Sequence, residues 1–180
     1  MHIDLETTAM LLVDVQERLF PHIDNNTALA LRLEILLKGL GILEVPIFCN
    51  QQYTEKLGVT LPSLFSLLRS KEVYEKRAFS CCDNPDILHA LKSSNAKTII
   101  VAGIEAHVCV LQTVLDLIFH DYTPVVVVDA IGSRHHQNLE IALKRMEKEG
   151  AILTTTESLL FELLRTATHP QFRAISALVK

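Results

Sequence analysis

Three reactive side chains, a thiol, a carboxylate and an ammonium group, each lie at or near the end of an apolar run. Cys109 lies in the segment 103–110, which directly follows the run 97–102, while Asp14 closes one earlier run and Lys76 lies in another. Backbone N–H groups and the helix dipole stabilise a thiolate in the first turn of a helix, and the thiolate is the reactive form of cysteine. These residue types predict a covalent attack on an electrophilic carbon.

Each of the three residues has a role in that chemistry. Asp14 takes the proton from Cys109 and later returns it to a leaving amine, while Lys76 lowers the thiol pKa and holds the carboxylate in place. Backbone N–H groups near Cys109 stabilise the developing oxyanion. The alternatives are structural: a buried inert cysteine, an aspartate in a turn or helix cap, and a solvated lysine.

The elements that must position these residues alternate along the chain. Apolar runs predict strands at 8–13, 45–49, 73–78, 97–102, 124–128 and 151–153. Helical spacing and capping residues predict helices from Asn25 or Asn26 to Gly41, and at 62–68, 84–91, 108–119, 137–149, 156–165 and 171–178. Continuous apolar strands are typical of a sheet covered on both faces. The alternation predicts a three-layer α/β fold with a mostly parallel sheet.

Sheets of this kind bind their ligands beyond the carboxyl ends of the strands. Asp14, Asn50, Lys76, Gly103 and Asp129 all lie at such predicted ends. We therefore expect these five residues to share one site.

Length and composition restrict the class of protein. The chain has 180 residues, of which 49% are hydrophobic, and its formal net charge is −4. We expect one domain spanning residues 1–180, because typical domains have about 100–200 residues. No apolar stretch reaches the roughly 18–20 residues of a membrane helix, and the scattered basic residues lack a nucleic-acid footprint. We expect a small-molecule substrate, neither a membrane nor a nucleic acid as partner, and a cytoplasmic or organelle-matrix location, since the N-terminus does not resemble a signal peptide.

The four cysteines are Cys49, Cys81, Cys82 and Cys109, and none forms a CxxC pair. In a reducing compartment they are expected to be free thiols. With no zinc-binding spacing among them, the sequence predicts no metal and no cofactor.

The motifs around the three reactive residues resemble those of a known superfamily. They are Leu11-Leu12-Val13-Asp14-Val15-Gln16, Tyr74-Glu75-Lys76-Arg77 and Gly103-Ile104-Glu105-Ala106-His107-Val108-Cys109-Val110, followed by Val128-Asp129-Ala130 and Ser133-Arg134. In this order they resemble the isochorismatase-like cysteine hydrolases, which include nicotinamidase, N-carbamoylsarcosine amidohydrolase and isochorismatase. The resemblance covers essentially the whole chain.

The resemblance implies both a fold and a set of catalytic residues. It implies a six-stranded parallel sheet in the order 3-2-1-4-5-6 and a triad of Asp14, Lys76 and Cys109. It also implies a cis peptide bond between Ile104 and Glu105 that directs backbone N–H groups toward the substrate.

One segment departs from the nicotinamidase pattern. Residues 50–58 lack the acidic and histidine residues that hold a metal in nicotinamidases, and carboxamides are poor zinc ligands. We therefore expect a metal-independent cysteine hydrolase that cleaves a C–N bond of a small amide, imide or ureido compound through a covalent intermediate. Two alternatives are a catalytically idle binding or scaffolding protein and a hydrolase of vinyl ethers, as isochorismatase is.

The candidate pocket residues are Phe20, Asn50, Gln51 and Tyr53, with Glu105 and His107 beside the nucleophile. Phe20 is equally consistent with a core position. We expect His107 to point away from Cys109, because residues i and i+2 of a helix do not share a face. His135 and His136 are expected to be exposed polar residues.

Oligomers are common among proteins that this chain resembles, so we expect a homo-oligomer. The C-terminal helix presents Phe172, Ile175 and Leu178, which form either a subunit interface or part of the core.

Overall fold

A computed structural model describes residues 2–180 as a central parallel sheet between two layers of helices. The strands are β1 (Thr8–Val13), β2 (Ile47–Gln52), β3 (Val73–Lys76), β4 (Thr98–Ile104), β5 (Thr123–Gly132) and β6 (Ile152–Thr154). All neighbouring pairs of these strands are parallel, and their order is β3-β2-β1-β4-β5-β6. The predicted three-layer α/β fold and strand order are confirmed.

The helices follow the strands along the chain. They are α1 (Asn26–Ile42), α2 (Thr54–Leu57), α3 (Pro62–Phe65), α4 (Pro85–Ser93), α5 (Leu111–Phe119), α6 (His136–Lys148), α7 (Thr156–Leu164) and α8 (Phe172–Leu178). Short 3₁₀ helices span Leu5–Thr7, Phe20–His22 and Cys81–Asp83, and a π-helical turn spans Ala106–Val110. Across residues 2–180, no helix is both long and apolar enough to cross a membrane.

The sheet separates two buried clusters. β1 is buried along its whole length because it lies in the middle of the sheet. Met10 and Leu12 belong to the cluster beneath α1, α7 and α8, while Leu11 and Val13 belong to the cluster beneath α4, α5 and α6. This alternation is the period of two expected of a strand, so the two faces of the sheet pack against different layers of helices.

The predicted fifth strand was too short, which misplaced Asp129. The ladder between β4 and β5 shifts register between Val101 and Gly103, and β5 then continues to Gly132. Asp129 therefore lies inside β5 rather than at its end. Its Oδ1 accepts hydrogen bonds from the backbone N–H of Thr156 at 2.8 Å and from the Thr156 hydroxyl at 2.9 Å, which ties β5 to the start of α7.

The apolar face of α8 belongs to the core. Ile175 is fully buried, and Phe172 and Leu178 pack against the same cluster as α1 and α7. Of the two sequence interpretations of this helix, the structure therefore supports core packing.

At Gly103 the strands β1 and β4 approach so closely that there is no space for a side chain. Its φ is +120°, and a Cβ there would overlap the backbone of Val13. We expect Gly103→Ala to lower the free energy of unfolding by about 2–4 kcal/mol, because both the backbone conformation and the space oppose a side chain.

The matched control is Gly41 in α1, where a Cβ meets nothing within 4 Å. Gly41→Ala should raise stability by about 0.5–1 kcal/mol, since alanine is the better helix former. Urea unfolding of both variants measures the difference, and equal stability of the two would contradict the argument.

Candidate functional site

A buried ion pair lies at the carboxyl ends of β1 and β3. Lys76 ends β3 and Asp14 directly follows β1, and Lys76 Nζ lies 2.7 Å from Asp14 Oδ2. The lysine side chain is 1% exposed and the aspartate side chain 0%. Nζ also donates to Gln52 Oε1 at 2.6 Å and to the carbonyl oxygen of Phe79 at 2.8 Å. The ammonium group is thus surrounded by oxygen acceptors that hold it in one position.

Two glutamines fix this pair, and neither was among the predicted site residues. Besides accepting from Lys76, Gln52 donates from Nε2 to the carbonyl of Arg77 at 2.8 Å. Gln16 Oε1 accepts from the Gln52 N–H at 2.7 Å, and Gln16 Nε2 donates back to the Gln52 carbonyl at 3.0 Å. The loop after β1 is thereby joined to the end of β2. The alternation of side chains along β2, counted from Asn50, was the available signal for Gln52.

Cys109 lies on the face of the sheet that these groups share. It follows β4 and belongs to the π-helical turn Ala106–Val110, rather than to the first turn of a regular helix as predicted. Cys109 is 6% exposed and belongs to the same buried cluster as Val13 and Tyr74. The carboxyl ends of β1, β3 and β4 therefore bring Asp14, Lys76 and Cys109 into one region, as the strand-end argument expected.

The electrostatics of the thiol differ from the expectation. The pKa of Cys109 is raised to about 12, first because burial disfavours the thiolate and second because the Asp14 carboxylate lies nearby. Lys76 lowers the thiol pKa, as predicted, but by less than these two effects raise it. The resting group is consequently a neutral thiol, and a nucleophilic role would require a base that removes its proton.

Asp14 has the properties of such a base. Burial raises its pKa, and this effect exceeds the lowering by Lys76. Burial by itself lowers the pKa of Lys76, but the neighbouring Asp14 and the thiols of Cys81 and Cys109 shift it upward overall. Oδ2 of Asp14 is bound to Lys76, whereas the buried Oδ1 accepts no hydrogen bond from an N–H or O–H group within residues 2–180. The Cys109 thiol interacts with this carboxylate and lowers the pKa of Asp14, although by less than burial raises it. One carboxylate oxygen is therefore anchored and the other is an open acceptor.

Three of the predicted pocket residues have other surroundings. Phe20 is 8% exposed and packs in the cluster beneath α1, on the opposite face of the sheet from Cys109. Gln51 donates to the Thr60 hydroxyl at 2.9 Å and accepts from the Thr54 hydroxyl at 3.1 Å, so both ends of its amide are used. The structure brings neither residue to the thiol. Gln51 faces away because alternate residues of a strand face opposite sides, and Phe20 lies in the 3₁₀ helix Phe20–His22 on the other side of the sheet.

The ring of Tyr53 lies beneath a cation. The guanidinium of Arg77 lies 3.7 Å from the centre of the ring. The backbone N–H of Tyr53 donates to the Lys76 carbonyl at 2.9 Å. Tyr53 therefore borders the lysine through its backbone, while its ring is covered by Arg77.

The segment before Cys109 is anchored to the loop after β5. The peptide bond between Ile104 and Glu105 is cis. The Glu105 carboxylate accepts from the backbone N–H of Arg134 at 3.1 Å and from its Nε at 3.0 Å. His107 Nδ1 lies 3.0 Å from the Ser133 hydroxyl. Glu105 and His107 thus bind the β5 loop, which accounts for their side chains without a direct role at the thiol.

Asp129 does not join the strand-end residues at the thiol. It borders a separate cavity of about 370 Å³ that is also lined by Arg32 and His136 and contains none of the three reactive residues. Within residues 2–180, no group of three or more His, Cys, Asp or Glu side chains is arranged to hold a metal ion.

A parallel α/β sheet with a thiol, a carboxylate and an ammonium group at its carboxyl edge is an arrangement suited to a hydrolase. Comparisons with known proteins identify the family. The family model of the isochorismatase domain matches residues 8–158. Isochorismatase family protein 1B of Dictyostelium discoideum is 35% identical over 180 residues, which cover 97% of this chain and 87% of that protein. Isochorismatase domain-containing protein 2A of Mus musculus is 36% identical over 176 residues, covering 97% of this chain and 84% of that protein.

A solved structure from Caenorhabditis elegans, described as the MAR1 ribonuclease, has the same fold. Its TM-score is 0.95 at 35% identity, and the match covers 99% of this chain and 92% of that chain. The chain belongs to the isochorismatase family of hydrolases, and the predicted membership is confirmed.

We expect the protein to lose much of its stability when one partner of the buried Asp14–Lys76 pair is removed. Lys76→Met leaves the Asp14 charge buried without a partner, and we expect this to cost about 3–5 kcal/mol in the free energy of unfolding. The double variant Asp14→Asn, Lys76→Met removes both charges and should recover much of that loss. Denaturant unfolding measures both effects.

The control is an exposed ion pair in α1, between Lys38 and Glu34, whose side chains are 41% and 44% exposed. Lys38→Met should cost no more than about 1 kcal/mol, because solvent screens such pairs. A cost for Lys76→Met as small as that for Lys38→Met would contradict a structural dependence on the buried pair.

Proposed function

We propose that this chain, as one domain spanning residues 1–180, is a cysteine hydrolase that cleaves a C–N bond of a small amide, imide or ureido compound. Asp14, Lys76 and Cys109 carry the reaction. The observation that carries the proposal is the divided carboxylate of Asp14: Oδ2 is bound to Lys76 at 2.7 Å, and the buried Oδ1 accepts no N–H or O–H hydrogen bond among the described residues. This is the arrangement required of a base that accepts one proton in one place.

The first half of the reaction forms an acyl-enzyme. Asp14 Oδ1 takes the proton from the Cys109 thiol while Sγ bonds to the carbonyl carbon of the substrate, and backbone N–H groups beside the Ile104–Glu105 bond stabilise the oxyanion. The C–N bond then breaks. Asp14 returns its proton to the leaving nitrogen, which departs as ammonia or an amine, and a thioester on Cys109 remains.

The second half uses one water molecule. Asp14 removes a proton from water, the resulting hydroxide attacks the thioester, and the C–S bond breaks. The acid product leaves and the proton passes from Asp14 to the Cys109 sulfur. Lys76 stays charged throughout, because its pKa is raised above the ordinary range, and its role is to anchor Oδ2.

The side chains at the carboxyl end of β2 support chemistry without a metal. Asn50, Gln51 and Gln52 stand where nicotinamidases carry metal ligands. Gln51 and Gln52 use both ends of their amides inside the protein, and Asn50 uses its amide nitrogen. Carboxamides are poor ligands for zinc. We therefore assign activation of the nucleophile to Asp14 alone.

Turnover of a panel of small amides, imides, ureas and activated esters tests the proposal. Wild-type protein should form a Cys109-dependent product or adduct, visible by intact-mass spectrometry, and Cys109→Ala should form none. Asp14→Asn should reduce the rate by about 10²–10⁴-fold, because the proton then has no acceptor. Cys49→Ala, which removes a buried thiol on the other face, is the matched control.

The pH dependence of the rate tests the role of Asp14 as the base. Asp14 accepts a proton only when ionised, and burial raises its pKa above the usual range of aspartate. The rate should therefore increase as pH rises through that elevated pKa and fall in acid, and this pH dependence should be absent in Asp14→Asn.

Absence of any reaction of the wild type with the substrate panel would support a catalytically idle binding or scaffolding protein. Cleavage of a vinyl ether by Cys109→Ala would support acid chemistry of the isochorismatase type.

Ribonuclease activity is the competing function, because it is the activity stated for the similar C. elegans protein. The net charge of −4 opposes it, since phosphate backbones are bound by clustered cations. Incubation with single-stranded and double-stranded RNA separates the two. Cleavage that persists through purification and is lost in Cys109→Ala would overturn the C–N hydrolase.

We propose in addition that the chain forms a homo-oligomer. Large apolar side chains that are at least 47% exposed within residues 2–180 support this: Leu31, Val59, Phe79, Phe119 and Ile141. Light scattering of the purified chain should give at least twice the monomer mass. A monomer mass throughout the concentration range of the activity assays would contradict the proposal.

A further inference from the structure

Asn50 is a buried amide with one end unpaired. Its residue is 1% exposed. Nδ2 donates to the carbonyl oxygen of Phe48 at 3.1 Å and to that of Leu12 at 3.4 Å, whereas Oδ1 is buried and has no hydrogen-bond partner within residues 2–180. The orientation of the amide follows from these contacts, because the opposite orientation would set Oδ1 against two carbonyl oxygens. Asn50 therefore presents an unused acceptor.

This acceptor lies on the same face of the sheet as the thiol. Asn50 pairs with Val13 of β1 and with Tyr74 of β3. Both of those side chains belong to the buried cluster that contains Cys109, and paired residues of parallel strands project to the same face. The backbone N–H of Asp14 donates to the Asn50 carbonyl at 3.2 Å, so the two residues are adjacent.

Two buried acceptors, Asp14 Oδ1 and Asn50 Oδ1, thus belong to residues that are adjacent through their backbones, and in residues 2–180 every other buried side-chain oxygen or nitrogen has a hydrogen-bond partner. They differ chemically. The carboxylate accepts a proton outright, which suits a base, whereas a neutral amide oxygen accepts only a hydrogen bond. Buried polar groups of native proteins are rarely left unpaired, and those that are tend to serve function. The group that completes Asn50 is an N–H or O–H donor from outside the chain.

We propose that Asn50 Oδ1 accepts a hydrogen bond from an N–H of the substrate, and that this contact selects primary and secondary amides and ureas over esters and tertiary amides. The inference rests on the proposed function and narrows its substrate class. An ester oxygen carries only lone pairs and would face Oδ1 without a hydrogen atom between them. A tertiary amide would present a methyl group there and leave Oδ1 buried and unpaired, which a polar site rejects.

Alkylation of Cys109 by two matched reagents tests the proposal. Iodoacetamide carries two N–H donors, whereas N,N-dimethyl-2-iodoacetamide carries none. In both cases Sγ bonds to the methylene carbon, the C–I bond breaks, iodide leaves, and the thiol proton passes to Asp14. Second-order rates are measured by intact-mass spectrometry on the full chain and divided by the rates of the same reagents with free glutathione, which removes their intrinsic reactivity.

The normalised rate of wild type should be about 10–100-fold higher for iodoacetamide, the range expected for one buried hydrogen bond gained or lost. In Asn50→Leu this preference should disappear through slower reaction with iodoacetamide, while the dimethyl reagent reacts as before. Asn26→Leu is the matched control, since Asn26 begins α1 and donates to the carbonyl of Pro21. It should retain the preference.

Several outcomes overturn the inference. Equal normalised rates in wild type would do so, and this comparison stands even if Asn50→Leu fails to fold. Equal slowing of both reagents in Asn50→Leu would indicate a purely structural residue. Failure of the proposed function has a different signature, because Cys109 would then not be labelled at all or would be labelled equally in Asp14→Asn.

Discussion

The buried ion pair between Asp14 and Lys76 is the constraint on which the site depends. Two opposite charges lie 2.7 Å apart on side chains that are 0% and 1% exposed, and their mutual attraction and the oxygen acceptors around Lys76 offset the cost of burying them. Lys76 reaches Asp14, Gln52 and the backbone carbonyl of Phe79, so one ammonium group joins β1, β2 and the loop after β3. The parallel sheet makes this possible by ending these strands at one edge.

The pair also influences the pKa of the Cys109 thiol. A thiol beside a free lysine would ionise readily, but here the lysine charge is largely compensated by Asp14. Burial and the nearby carboxylate then raise the thiol pKa to about 12. In the function that we propose, attack by the thiol is therefore coupled to proton transfer to Asp14. In the roles that we propose, Asp14 Oδ1 accepts a proton and Asn50 Oδ1 accepts a hydrogen bond from the substrate.

Sequence patterns predicted much of this arrangement, and its failures have identifiable causes. Asp14, Lys76 and Cys109 were found because each lies close to the end of an apolar run. Gln51 was predicted to line the pocket, but its neighbour Gln52 is the residue that contacts Lys76. Which of two neighbouring strand residues faces the site depends on how β2 is placed in the sheet. Asp129 was wrongly expected at the site because the apolar run ends at residue 128. The strand in fact continues to Gly132 through a register shift against β4, which local sequence does not reveal.

The sequence by itself determined the order of strands and helices, the chemical identity of the reactive groups and the family to which the chain belongs. Local periodicity and residue type carry that information, since both act over a few neighbouring residues. The tertiary structure decided which side chains share a face, the state of the thiol and which oxygens remain unpaired. These properties arise from desolvation and from contacts between residues far apart in the chain, and no short stretch of sequence contains them.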